Sequence, residues 1–248
     1  MAGVTAEAAF RPSDFSVHLF DLDGVITPTA EVHMRAWARM FSAFLTGRGI
    51  PEPYTDEDYF AHVDGRPRYD GVRSFLLSRG LELPEGADAD PGDQPVGEET
   101  VRGLGNRKND LVLTLLRSEG VAPYPGTLAY LEALGPDARA AVVSSSRNAE
   151  EVLRGAGLLG RFSPLVDGNV AAREGLPGKP SPATFLHAAH LLGAEATEAV
   201  VYEDAVSGVR AGADGGFGAV VGVDRGVGAD ALTAAGATLV VSDLEEIA

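Results

Sequence analysis

The chain has 248 residues, 45% of them hydrophobic, enough to bury a sizeable core in one large domain or in a core plus a smaller unit. Its formal net charge of -16, from 36 acidic and 20 basic residues, works against binding to nucleic acid or to an anionic membrane, which need clustered Lys and Arg. With no cysteine, it has no disulfides, no thiolate metal sites and no cysteine nucleophile.

Residues 1–14 are Ala-rich, with no basic segment ahead of an apolar one, so a loose tail is expected and not a secretory signal. No apolar run approaches the ~20 residues of a membrane helix, and a cytoplasmic location is the default expectation. Residues 17–20 (VHLF) form a short apolar run ending in Asp21-Leu22-Asp23-Gly24, the pattern of a buried strand that delivers polar residues at its C-terminal end. Thr27-Pro28 predicts a helix start with Pro at the first helical position. Helical spacing follows, with Val32, Ala36, Met40 and Phe44 on one row and His33, Trp37, Phe41 and Leu45 on the next, until Gly47, Gly49 and Pro51 stop it.

From 51 to about 122 the sequence is helical and charged, with no strand pattern. Residues 84–105, dense in Gly, Pro, Asp and Glu, are expected as a long surface loop or insertion. Beyond Pro125 the pattern alternates: helices at 127–134, 149–156, 182–192 and 206–213, and strands at 140–143, 199–202, 219–223 and 238–241. Such alternation implies an α/β fold with a parallel sheet covered on both faces, which the strand at 17–20 joins across the helical segment. The expected organisation is an α/β core, residues 15–31 and 123–248, interrupted by an all-helical cap at 32–122.

Open α/β sheets bind ligands beyond the carboxyl ends of their strands. The polar residues standing there are Asp21 and Asp23, then Ser144, then Glu203 and Asp204. Carboxylates converging at one sheet end repel one another unless a cation sits among them, and oxygen ligands of this kind suit Mg2+. Ser144 can donate to a phosphate oxygen, the amides of Ser145 and Ser146 lead into a helix, and Lys179, between Gly178 and Pro180, can bring a positive charge. Each signal has an ordinary counterpart: D-x-D in a surface turn, a strand-end serine, a solvated lysine, an acidic pair at a helix start. Together they carry more than singly, because all fall at strand-to-helix junctions of one sheet.

These residues resemble the haloacid dehalogenase (HAD) superfamily of phosphotransferases, in Phe20-Asp21-Leu22-Asp23-Gly24-Val25, Val143-Ser144-Ser145-Ser146, Gly178-Lys179-Pro180 and Tyr202-Glu203-Asp204. Within it, Thr29-Ala30-Glu31, His33, Arg35-Ala36-Trp37, Arg107-Lys108-Asn109-Asp110 and Tyr124-Pro125-Gly126 look like the β-phosphoglucomutase branch. The resemblance implies a Rossmann-like parallel-sheet core with an inserted helical cap. It implies Asp21 as nucleophile through an aspartyl-phosphate, Asp23 as general acid and base, Ser144 and Lys179 as stabilisers of the transferring group, and Mg2+ held by Asp21, the carbonyl of Asp23, Glu203 and Asp204. Arg68, in Gly65-Arg66-Pro67-Arg68, would grip the non-transferring phosphate. His33, Trp37, Gly65, Lys108, Ser145, Ser146, Arg147 and Asn148 fall at further substrate-side positions, although Trp37 on its helical row reads equally as packing.

The chain departs from that branch at Pro28 (usually Asp), Arg147 (Lys), Ser145 (Ala) and Gly71 (Ser), and in the length of 84–105. These departures bear on which sugar is bound and leave Asp21, Asp23, Lys179 and Asp204 in place. The leading expectation is isomerisation of β-glucose 1-phosphate to glucose 6-phosphate through the bisphosphate. The alternatives are a sugar-phosphate phosphatase and, with the acidic and basic set intact, more remotely a non-catalytic binding protein. The expected partner is a small phosphorylated sugar, without nucleic acid or membrane, and the expected state is a monomer.

Overall fold

The computed structural model describes residues 10–248. Of the expected tail, residues 1–9 lie outside the described residues. The rest is not loose: 12–14 form a 3-10 turn, and Phe10 stacks on Phe15 at 5.7 Å and packs against the core.

Six parallel strands form one sheet: β1 (Val17–Phe20), β2 (Ala140–Val143), β3 (Leu165–Val166), β4 (Ala199–Glu203), β5 (Ala219–Val223) and β6 (Leu239–Val241), in the order β3-β2-β1-β4-β5-β6. β1 is central, with His18 paired to Ala140 on one side and to Val200 on the other. The strand order reverses at β1, and this is where such sheets open a crevice at their carboxyl ends.

Period-2 alternation sends the strands' side chains to opposite faces. Phe20, Val142, Val200, Tyr202 and Val221 pack on one face against α5 (Pro125–Leu134) and α6 (Ala149–Gly155). Val17, Leu19, Val143, Val201 and Val220 pack on the other against α8 (Ala183–Leu191), α9 (Val206–Asp214) and α10 (Ala229–Ala235). Both faces are dry, so the strands read as continuous apolar runs.

A third apolar cluster joins α1 (Thr29–Gly47), a short α2 (Asp56–Asp58) with the π-helical turn Tyr59–Val63, α3 (Arg68–Ser78) and α4 (Val101–Glu119) around Trp37, Phe41, Phe44, Phe75 and Leu104. None of the described residues between 51 and 122 is in a strand. The two ends of this helical unit are shared with the sheet: Val32 and Ala36 of α1, and Val112, Leu115 and Leu116 of α4, pack in the core cluster.

Three details differ from the sequence reading. α1 begins at Thr29 with Pro28 as its N-cap, because Thr27 is still held in the preceding turn by its amide on the Leu22 carbonyl at 3.0 Å. The loop expected at 84–105 ends at residue 100: α4 starts at Val101, capped by the Thr100 hydroxyl, which accepts from the Gly103 amide at 2.9 Å. Gly105 sits inside that helix because a Cβ there would press on the ring of Tyr69. The two-residue β3 and α7 (Gly168–Glu174) went unanticipated.

Candidate active site

β1 ends in a tight loop in which Ile26 N bonds the Leu22 carbonyl at 2.9 Å and Gly24 N bonds the Thr27 carbonyl at 2.8 Å. The loop turns Asp21 and Asp23 toward the crevice while burying Leu22, Val25 and Ile26. Gly24 has φ +95, and a Cβ on it would collide with the Asp204 carboxylate, so this glycine is required both for the turn and for that close approach.

Lys179 reaches the same point, 3% exposed. Its ammonium donates to Asp21 Oδ1, to Glu203 Oε1 at 2.5 Å and to the Val143 carbonyl at 3.1 Å. Burial pulls the Lys179 ammonium down, but Asp21 and Glu203 more than offset this and the net shift is upward. Glu203, fully buried at the end of β4, gives its other oxygen to the Ala205 amide at 2.9 Å. Both its oxygens meet protein donors, each with a lone pair remaining, beside Asp21 and Asp204.

Burial pushes the carboxyls of Asp21 and Asp204 well above the usual range. Glu203 and Asp23 add to the effect on Asp21, which Lys179 opposes. Asp64, Glu203 and Asp21 add to it on Asp204, again against Lys179. One ammonium does not balance these carboxylates, and a further cation beside Asp21 and Asp204 would bring both back to the ionised form. The residues present thus fit a hard divalent cation with oxygen ligands.

Asp23 is aimed by two hydroxyls: Thr29 Oγ1 donates to its Oδ1 at 2.5 Å and Ser144 Oγ to its Oδ2 at 3.4 Å. Ser144, expected on a phosphate, also accepts from the Ser146 amide at 3.1 Å. From the helical unit, His33 Nε2 lies 3.7 Å from Asp23 Oδ1, and His33 Nδ1 lies 2.8 Å from Lys108 Nζ, which stands 4.7 Å over the Trp37 ring. Trp37 is stacked on Phe41 at 5.2 Å and also lines the cavity.

The 64–68 segment is laid onto the sheet's loops. Ser145 Oγ donates to the Gly65 carbonyl at 2.8 Å and Ser207 Oγ to the Asp64 carbonyl at 2.9 Å. A side chain at Gly65 would strike Ser207 and Ala205. Arg68 donates to Asn109 Oδ1 at 2.6 Å, and Asn148 donates to the same oxygen at 2.9 Å. Arg147 lies over the Tyr69 ring at 5.6 Å. Burial pushes the Arg68 guanidinium down, and Arg147 adds to this.

Most of these groups, but not Thr29, Lys179, Glu203 or Ser207, line one cavity of about 330 Å³ between the helical unit and the carboxyl ends of the strands. Three lining or supporting residues escaped the sequence reading. Asp64, half-buried and pushed up to about 7, sits beside a quoted motif and Thr29 within one, but nothing in their spacing shows where they point. Asn109 lies within a quoted motif on α4, and only the packing of α3 and α6 against that helix reveals its partners.

The fold and this cleft define a phosphoryl-transfer enzyme of the haloacid dehalogenase type. The pattern of haloacid dehalogenase-like hydrolases matches residues 16–216, and the chain belongs to that family, in its β-phosphoglucomutase-like branch. It is 46% identical over 246 residues to the β-phosphoglucomutase of Mycobacterium tuberculosis, covering 95% of this chain and 92% of that one. It is 31% identical over 215 residues to the β-phosphoglucomutase of Bacillus subtilis, covering 86% of each. The crystal structure of the β-phosphoglucomutase of Clostridium difficile superposes with a TM-score of 0.73 at 23% identity, over 94% of this chain and 93% of that one, and shares the fold. The chain is therefore an enzyme, a phosphotransferase or phosphatase. No helix among the described residues is long and apolar enough to cross a membrane.

Proposed function

We propose that this enzyme is a magnesium-dependent sugar-phosphate mutase that interconverts β-glucose 1-phosphate and glucose 6-phosphate through the 1,6-bisphosphate. The observation that carries the reading is that one cavity joins Asp21 and Asp23 at the sheet to Arg68 and Arg147, which no carboxylate among the described residues pairs. A ligand with an anionic group at each end suits it. The identity to proteins named β-phosphoglucomutase supports the choice of sugar.

In the first half-reaction an Asp21 oxygen attacks phosphorus, the bond from phosphorus to the sugar oxygen breaks, and Asp23 gives its proton to that oxygen. In the second, Asp23 takes the proton of a sugar hydroxyl, whose oxygen attacks the aspartyl-phosphate, and Asp21 leaves as carboxylate. Thr29 and Ser144 hold Asp23 in line for both transfers. Lys179, tied to Asp21 and braced by Glu203, offsets charge on the transferring group. Mg2+ would be held by Asp21, Glu203, Asp204 and the Asp23 carbonyl. When bound it would neutralise phosphoryl charge.

The helical unit acts as a cap: its 64–68 segment, seated on Ser145 and Ser207, closes the cleft, and water exclusion separates transfer between sugars from hydrolysis. The test supplies Mg2+, β-glucose 1-phosphate and a trace of glucose 1,6-bisphosphate, and measures glucose 6-phosphate against free phosphate. Glucose 6-phosphate is the expected product. Free phosphate as the main product would replace the mutase reading with a phosphatase.

A further inference from the structure

Asn109 occupies an unusual junction. Its single side-chain oxygen accepts from Arg68 at the start of α3 and from Asn148 at the N-cap of α6, at 2.6 and 2.9 Å. One of these donors belongs to the helical unit and the other to a loop of the sheet, so the carbonyl bridges the two sides of the cleft. One turn earlier on α4, Asn106 Oδ1 accepts from the Tyr69 hydroxyl at 3.0 Å and stands 3.5 Å from the other Arg68 nitrogen.

The acceptors that orient Arg68 are thus neutral amides. They fix the direction of the guanidinium without cancelling its charge, and the nearby Arg147 adds to the positive potential there. A carboxylate in their place would make the same hydrogen bonds and more strongly, but it would use up the charge.

We propose that Asn109 is a positioning residue that sets affinity for the anionic end of the substrate remote from Asp21. It presents Arg68 and Asn148 together while leaving the arginine's charge for the ligand, a dianionic phosphate. This rests on the reading of Arg68 as a phosphate grip given above.

The discriminating substitution is Asn109→Asp, which keeps size and the acceptor oxygen and adds a charge. The KM for β-glucose 1-phosphate is expected to rise about tenfold or more, the equivalent of one lost charge-assisted hydrogen bond, with a much smaller change in kcat. The rise in KM should be smaller for acetyl phosphate, which brings no second anionic group. Calorimetry with inorganic phosphate should show weaker binding by Asn109→Asp, and in an Arg68→Ala background the same substitution should add little.

A variant with the wild-type KM and phosphate affinity would overturn the inference. So would a fall in kcat and melting temperature equal for both substrates, which marks a purely structural role. If the wild type turned over no phosphate ester yet Asn109→Asp still weakened phosphate binding, the proposed function would fall and the role of Asn109 would stand.

Discussion

His33 Nδ1 and Lys108 Nζ lie 2.8 Å apart, so one of the two nitrogens must accept the other's proton. Burial pushes Lys108 down to about 7, with Arg68 adding to the effect and Asp23 opposing it, and burial pushes His33 down to about 4. Near neutrality the imidazole is uncharged and Lys108 is the group that titrates. Charged Lys108 donates to Nδ1 and forces the ring proton onto Nε2, the buried nitrogen that faces Asp23 at 3.7 Å. Neutral Lys108 allows the opposite tautomer, with Nε2 as an acceptor. The charge of Lys108 is thereby linked to the protonation of the proposed acid and base.

The expected consequence is a limb near pH 7 in the profile of kcat/KM, removed by Lys108→Met together with a loss of about 10²-fold in rate. Asp64 also titrates near that pH, since burial pushes it up to about 7. A limb that survives Lys108→Met and vanishes with Asp64→Asn would transfer the assignment to Asp64.

Gly24→Ala should act on stability and on metal requirement together. At φ +95 a side chain costs about 1–2 kcal/mol, and this one would also displace the Asp204 carboxylate. Urea unfolding should show the first effect, and a higher Mg2+ concentration for half-maximal activity the second. An unchanged Mg2+ requirement would remove Asp204 from the proposed metal set.

Glu203 should matter most for what it leaves behind. Glu203→Ala deprives buried Lys179 of one partner and the Ala205 amide of its acceptor, and a broken buried pair costs about 3–5 kcal/mol. Glu203→Gln still offers Lys179 an oxygen and should cost clearly less. Equal losses of unfolding free energy in the two variants would show that the charge of Glu203, and not its hydrogen bonding, supports Lys179.

What the sequence made legible follows from how local each signal is. The strands were readable because burial on both faces makes them unbroken apolar runs, as in 140–143 and 219–223, and Asp21, Ser144 and Asp204 followed from standing at strand ends. The start of α4 was hidden because Gly103 and Gly105 read as helix breakers, whereas each is there for a close approach. Asn109 and Asp64 were hidden for another reason. The partners of the Asn109 side chain and of the Asp64 carbonyl are more than 35 residues away in sequence, and no local spacing reports which neighbour each will meet.

The last prediction lies at the far side of the sheet from Asp21. His18, buried in β1, has its Nδ1 2.8 Å from the Tyr202 hydroxyl, which also contacts the Tyr130 hydroxyl, and the Tyr202 ring stacks on Phe20 at 4.4 Å. Burial, with Arg161 adding to it, pushes His18 down to about 4 from the ordinary 6.5. Between those values the unfolded chain binds a proton that the folded chain does not, so stability rises with pH across this window and is lost as pH falls through it. Below pH 4 the loss levels off at about 3 kcal/mol. His18→Gln removes the titration while keeping a polar partner for Tyr202. Urea midpoints measured between pH 4 and 6.5 should therefore fall less steeply in the variant, by up to one proton's worth of slope. Identical slopes in the two proteins would assign the acid sensitivity to the carboxylates instead.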